Sequence, residues 1–131
     1  MKLITTNICK TSDIGINNNL FGGTMLSWLD EAGAIMACSL CNTPTMVTVK
    51  FDEVLFKEPV KVGNHIKMYG KMTNIGNTSI SLSIEARRKS FKNDVIESIV
   101  CSTNIVFVRI GEDGRSKALS DEVKNMLIKS K

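Results

Sequence analysis

No apolar run in this sequence approaches the roughly 18 residues needed to span a bilayer, which sets aside a membrane-crossing reading. The opening Met1-Lys2-Leu3-Ile4-Thr5-Thr6 leads straight into a strand-like stretch, with no secretory apolar region or cleavage site, so a cytoplasmic protein is expected. A single histidine, His65, leaves little for a Ser–His or Cys–His nucleophile pair, and no cysteine or histidine cluster has zinc-ligand spacing. A metal is therefore not expected. Basic residues are dispersed and the net charge is a mild +4, without the stripe that nucleic acid binding requires. Repeats, low-complexity segments and linkers are also missing. A length of 131 residues suits one domain spanning 1–131, large enough to bury a core.

The four cysteines include Cys38-x-x-Cys41, which invites a redox reading. The pair falls at the far end of a helical segment, whereas a reactive pair gains its thiolate from a helix N-terminus. Core thiols in a reducing compartment are the expectation.

What is present centres on Phe21-Gly22-Gly23-Thr24-Met25-Leu26-Ser27-Trp28-Leu29-Asp30-Glu31-Ala32-Gly33-Ala34-Ile35-Met36-Ala37. It reads as a helix apolar nearly all round, and such a helix is expected to be buried on every side. Leu26, Ser27, Gly33, Ala34 and Ala37 surround Asp30, so its carboxylate meets little that would solvate it. A charge placed so is costly and is typical of a general base; a carboxylate satisfied by a neighbouring strand is the equal alternative. Asn42-Thr43-Pro44 should end the helix.

A strand from Leu3 to Cys9 and a loop from Thr11 to Leu20 precede the helix. After Thr45 the period becomes two, with Val47, Val49 and Phe51 expected on a buried face. A strand follows over His65–Thr73, then a turn at Asn74-Ile75-Gly76-Asn77. The return strand puts Ile80, Leu82 and Ile84 on one face. A last strand runs from about Val95 to Ile110, and a short helix capped by Ser120 closes the chain. The class is α+β: one apolar helix wrapped by a curved antiparallel sheet, whose exposed edge invites a second copy.

In order along the chain stand Phe21-Gly22-Gly23 with Asp30 seven residues later, Thr48-Val49-Lys50-Phe51-Asp52, and Phe56-x-x-Pro59-Val60-x-Val62-Gly63. Tyr69-Gly70, Gly76-Asn77-Thr78-Ser79-Ile80-Ser81, Phe107-Val108 and Asp113-Gly114-Arg115 follow. This ordered set resembles the acyl-CoA thioester hydrolases of the hotdog superfamily. The resemblance implies a hotdog fold, hydrolysis of acyl-coenzyme A, no metal or cofactor, and dimers with shared sites, often built into hexamers. It places the catalytic carboxylate at Asp30. The family's loop usually reads Asn-x-x-Gly before Phe-Gly-Gly. Here Gly15 and Asn18 stand at those positions, so either Asn17 or Asn18 takes the polar role.

The helix-start amides at Gly22 and Gly23 are candidates to polarise the substrate carbonyl, and with no side chains there the carbonyl could approach closely. Asp30 and Gly23 lie about 10 Å apart along one helix, so two subunits must contribute to each site. Catalytic candidates are thus Asp30, Asn17 and Gly23, with Gly22, Asn18 and Thr48 as substrate-binding candidates. Arg87, Arg88 and Lys89 are candidates for the coenzyme A phosphates, or else a solvated strand end. A non-catalytic acyl-CoA sensor is the competing reading. A hydroxyacyl dehydratase is disfavoured because its chemistry uses a histidine near the helix acid.

Overall fold

Period-two strands and one long apolar helix do fold as the sequence suggests. The computed structural model describes residues 1–92 and 97–130. Its elements are β1 (Lys2–Ile8), a 3-10 turn at Thr11–Asp13, α1 (Gly22–Cys41), β2 (Met46–Phe56), β3 (His65–Ile75), β4 (Ser79–Arg88), β5 (Ser98–Arg109) and α2 (Asp121–Ser130). The strands form one antiparallel sheet in the order β1-β3-β4-β5-β2, which leaves β1 and β2 as its edges. The sheet curls around α1, the hotdog arrangement. Of the expected last strand, Val95 lies outside the described residues.

The core lies between α1 and the concave face of the sheet. Ile80, Leu82, Ile84 and Ala86 of β4 are fully buried, as are Ile66 and Met68 of β3, and Ile105 and Phe107 of β5. They meet Met25, Leu29, Ala32, Met36 and Ala37 of α1. On β4 the intervening Ser79, Ser81, Ser83 and Glu85 are half-buried on the convex face, which is the expected alternation. Helix and sheet approach closely at Gly33, where an added Cβ would lie 2.8 Å from the Phe107 ring. Gly33→Ala should therefore destabilise the fold by about 1–3 kcal/mol, the scale of an overpacked core. A melting temperature equal to wild type would contradict that.

Two expectations are corrected. α1 is covered on its sheet side, while Gly23, Ser27, Glu31 and Ile35 are exposed, because five strands curl only partway round a helix. The helix ends where expected, at Cys41, through Asn42, whose φ of 50° is left-handed, and the amide of Thr43 bonds back to the Cys38 carbonyl at 3.1 Å. Pro44 stands beyond that cap. On β2, Val47 and Val49 are 40% and 58% exposed instead of buried, with Phe51 half-buried. The strand is an edge broken by irregularities between Thr48 and Lys50 and between Asp52 and Leu55, with Glu53 at φ 56°, so no simple alternation survives.

β3 runs two residues into the expected turn, to Ile75, and β4 begins beyond it at Ser79, with the Gly76 amide bonded to the Ser79 carbonyl at 2.8 Å. Ser120 caps α2: its hydroxyl accepts the Val123 amide at 3.2 Å.

Candidate active site

The loop before α1 is shaped by Asn18, whose φ of 60° is left-handed, a conformation asparagine tolerates better than most residues. Around it the Gly15 amide bonds to the Asn19 carbonyl and the Asn18 amide to the Gly15 carbonyl, at 2.8 and 3.2 Å. The Lys61 ammonium ties the loop down by donating to Asn19 Oδ1. Phe21 then serves as N-cap with no side-chain cap bond, and its carbonyl accepts the amides of Thr24 and Met25 at 3.0 and 3.1 Å. The amides of Gly22 and Gly23 have no hydrogen-bond partner among the described residues. They carry the positive end of the helix dipole.

The Phe21 ring is 60% exposed and lies against Gly23, where a Cβ would come within 2.7 Å of it. The room left by the missing side chain is thus shared with Phe21, which walls the helix start. Two clefts meet at Gly22. One, of about 330 Å³, runs between Leu20, Met25, Phe56, Pro59, Val60 and Val100. The other, of about 260 Å³, is lined by Gly15, Asn17 and Phe21. The first cleft brings together segments far apart in sequence, and no local pattern could have announced it.

Two turns along the helix, Asp30 is half-buried, and the Thr48 hydroxyl of β2 donates to its Oδ1 at 2.5 Å. The carboxylate has a partner on the neighbouring strand, one of the two environments the sequence left open. The predicted residues thus gather in two places. Asn17, Gly22 and Gly23 lie at the start of α1, and Asp30 with Thr48 lies further along.

The basic run is divided. Arg87, on the convex face, is paired with Glu85 at 2.7 Å and lies 4.1 Å over the Tyr69 ring. Arg88, next along the strand, turns the other way and bonds the Pro59 carbonyl at 2.9 Å and Glu58 at 2.6 Å. Lys89 is exposed, its ammonium 5.5 Å from the Phe91 ring centre. Of the three, Arg88 borders the larger cleft, through Pro59.

Nearby on the convex face, Glu97 accepts bonds from Lys67 at 2.7 Å and Tyr69 at 3.2 Å. The Lys67 ammonium, and after it the Tyr69 hydroxyl, hold that carboxyl below its usual range. Burial pushes the thiols of Cys41 and Cys101 up to about 11, which keeps them protonated and unreactive at neutral pH. Among the described residues no group of three or more His, Cys, Asp or Glu could hold a metal, and no helix is long and apolar enough to cross a membrane. His65 makes an edge-on contact with Phe91, their ring centres 4.9 Å apart.

The family profile described as Thioesterase superfamily matches residues 17–92, a span that holds every predicted site residue from Asn17 to Lys89. The chain belongs to the thioesterase superfamily. Among its superfamily relatives, an uncharacterized acyl-CoA thioester hydrolase of Haemophilus influenzae is 30% identical, over 98% of this chain and 84% of that one. The acyl-CoA thioester hydrolase YciA of Escherichia coli is 30% identical over 92% of each chain. The crystal structure of a hexameric hotdog fold thioesterase of Campylobacter jejuni superposes with a TM-score of 0.83 at 36% identity, covering 96% of each chain. The helix-in-sheet arrangement of this chain is thus the superfamily's own fold.

Proposed function

We propose that this chain hydrolyses acyl-coenzyme A thioesters to a carboxylic acid and coenzyme A, without metal or cofactor, at a site shared by two subunits. The observation that supports this best is the division of α1. Its unbonded amides at Gly22 and Gly23 and its one half-buried carboxylate at Asp30 are the two halves of a thioester-cleaving site, set about 10 Å apart on one rigid helix. No single carbonyl can touch both within one chain.

A second copy resolves the separation. Edge strand β2 presents Val47, Val49, Leu55 and Phe56 as exposed apolar side chains, and α1 exposes Ile35 beside Glu31. Pairing two such edges about a twofold axis would lay the helices antiparallel, Asp30 of one beside the Gly23 end of the other. Three such dimers would make a hexamer, the assembly of the Campylobacter jejuni thioesterase.

In that site the Asp30 carboxylate takes a proton from a water molecule as its oxygen bonds to the carbonyl carbon. The carbonyl oxygen becomes an oxyanion and receives the Gly23 and Gly22 N–H groups, with the helix dipole behind them. Collapse breaks the C–S bond, and the departing thiolate takes up the proton held on Asp30. Direct attack by Asp30, through a mixed anhydride that water then opens, uses the same two groups.

The larger cleft receives one arm of the substrate beside Gly22. Arg88, at its border, is the best placed of the three basic residues to exchange Glu58 for a coenzyme A phosphate, with Lys89 exposed nearby and Arg87 on the other face. The buried, protonated thiols suit a reducing cytoplasm. The test is thiol release from short, medium and long acyl-CoAs, followed with a thiol-reactive dye. Release across part of that panel supports the hydrolase; tight binding with no release selects a sensor.

The loop makes a separate prediction. Asn17 lines the cleft at the helix start, so Asn17→Ala should lower turnover by about tenfold or more, as loss of a carbonyl- or water-orienting group does. Asn18 works through its left-handed backbone, which glycine adopts freely, so Asn18→Gly should melt and turn over close to wild type. Equal, negligible effects of Asn17→Ala and Asn18→Ala would leave the loop without a catalytic asparagine.

A further inference from the structure

We infer that the exposed ring of Phe91, set against His65 and Lys89, is the platform on which the adenine of coenzyme A stacks. This rests on the hydrolase reading above and names where that substrate's nucleotide end is held.

Phe91 is 69% exposed, yet its ring is held in place. It meets the imidazole of His65 with 4.9 Å between centres and 78° between planes. The ammonium of Lys89 lies over it, 5.5 Å from the centre, within reach of a cation–π contact. A single exposed apolar side chain needs no special account. This one is braced by an imidazole and a cation, and the backbone fixes all three. His65 opens β3, and the Lys89 amide, just past β4, bonds to the His65 carbonyl at 2.9 Å. β3 and β4 are interior strands, away from the β2 edge that a second copy would cover.

The charges around the ring narrow the ligand. Arg87 is paired with Glu85, Arg88 with Glu58 and Lys67 with Glu97. Lys89 has no acidic partner among the described residues, and Lys92, also exposed, follows the ring. A bare aromatic face beside uncompensated cations suits a ligand that is flat at one end and anionic at the other. A purine nucleotide has that chemistry: the base stacks on the ring and the phosphates meet the ammonium groups. An apolar peptide would leave Lys89 without a counter-charge, and a plain anion would gain nothing from the ring.

Location selects coenzyme A among nucleotides. Arg88 donates to the Pro59 carbonyl at 2.9 Å and to Asn64 Oδ1 at 3.5 Å, and Asn64 adjoins His65. Pro59 lines the larger cleft, which Gly22 also lines. A line of contacts thus runs from the helix-start amides through the cleft, past Arg88, to the Phe91 ring. A thioester seated at Gly22 would lay its pantetheine arm along that line, with the diphosphate at Arg88 and the base on Phe91.

The test compares an acyl-CoA with the same acyl group on pantetheine, which keeps the thioester and the arm but lacks the nucleotide. In Phe91→Ala, the ratio of kcat/KM for acyl-CoA to that for acyl-pantetheine should fall about tenfold or more, through KM. Phe91→Trp presents a larger stacking face and should keep or raise the wild-type ratio. Lys89→Ala should lower the ratio as well, by a factor that shrinks as salt is added. Free adenosine bisphosphate, carrying its phosphates as the ribose of coenzyme A does, should bind in calorimetry, with a Kd about tenfold or more higher in Phe91→Ala.

Equal losses on both substrates would make Phe91 a support of the fold and overturn the proposal. So would a ratio that does not move. Adenosine diphosphate binding at Phe91 more tightly than the bisphosphate, with the ratio unmoved, would make this a site for a free nucleotide and end the substrate assignment. The hydrolase reading fails separately. If no acyl-CoA releases thiol while Phe91→Ala still weakens the bisphosphate, hydrolysis falls and the platform stands; if thiol is released and the ratio is unmoved, only the platform falls.

Discussion

Asp30→Asn should lower turnover by about 10²-fold or more, the scale of general-base catalysis, while chain and oligomer stay folded. Asparagine has the same shape and can still accept the Thr48 hydroxyl through its amide oxygen, so the helix–strand contact survives. What is lost is the oxygen that takes a proton from water: the second position becomes an NH₂, a donor with no basic lone pair. A nucleophilic carboxylate would be lost equally, so this variant tests the residue and not the choice between the two roles. Burst kinetics in the wild type address that choice, since an accumulating anhydride would release thiol ahead of acid. Near-wild-type turnover by Asp30→Asn at unchanged melting temperature and oligomer size would remove Asp30 from the mechanism.

The parts of this fold that were legible in the sequence are those whose burial is decided within one chain. The alternation Ile80, Leu82, Ile84 against Ser79, Ser81, Ser83 appears in the structure as written, because β4 is central and its two faces differ in kind. The core of α1 was legible for the same reason. Its exposed face was not: Ser27 and Ile35 look like interior residues in a segment whose only charges are Asp30 and Glu31, and five strands cannot cover a helix all round. β2 misled most. Val47 and Val49 carry the apolar signal of a buried strand on an edge that its own chain leaves open, and the register slip after Thr48 hides which face each residue takes.

The candidate site divides along similar lines. Asp30 stood out because a carboxylate on an apolar helix is anomalous, and Asn18 because few other residues take a positive φ. The separation of Arg87 from Arg88 was readable in principle, since adjacent strand residues face opposite ways; treating them as a strand end concealed it. The larger cleft draws on residues 19–25, 56–60 and 100, and only tertiary packing brings these together. The Thr48–Asp30 bond spans eighteen residues and joins the helix to an edge strand.

Mixing two inactive variants should restore activity, and this is the most direct test of a site built from two chains. In Gly23→Val the new side chain would start within 2.7 Å of the Phe21 ring, driving ring or branches into the space beside the free amides and blocking the carbonyl. Asp30→Asn removes the base. Each pure variant should be nearly inactive, because every site in it lacks one function. In a mixed dimer, one site receives Asp30 from the Gly23→Val chain and Gly23 from the Asp30→Asn chain, so it is wild type in both respects. The other site carries both defects. Random co-refolding at equal amounts makes half the twofold dimers mixed, with one working site in two, so about a quarter of wild-type activity should return. Mixing folded variants without subunit exchange should return none. The same experiment distinguishes a site within one subunit, since each chain would then carry its own defect into every dimer. Dimers verified as mixed by mass, built from variants that fold and assemble normally, would in that case stay inactive and refute the shared site.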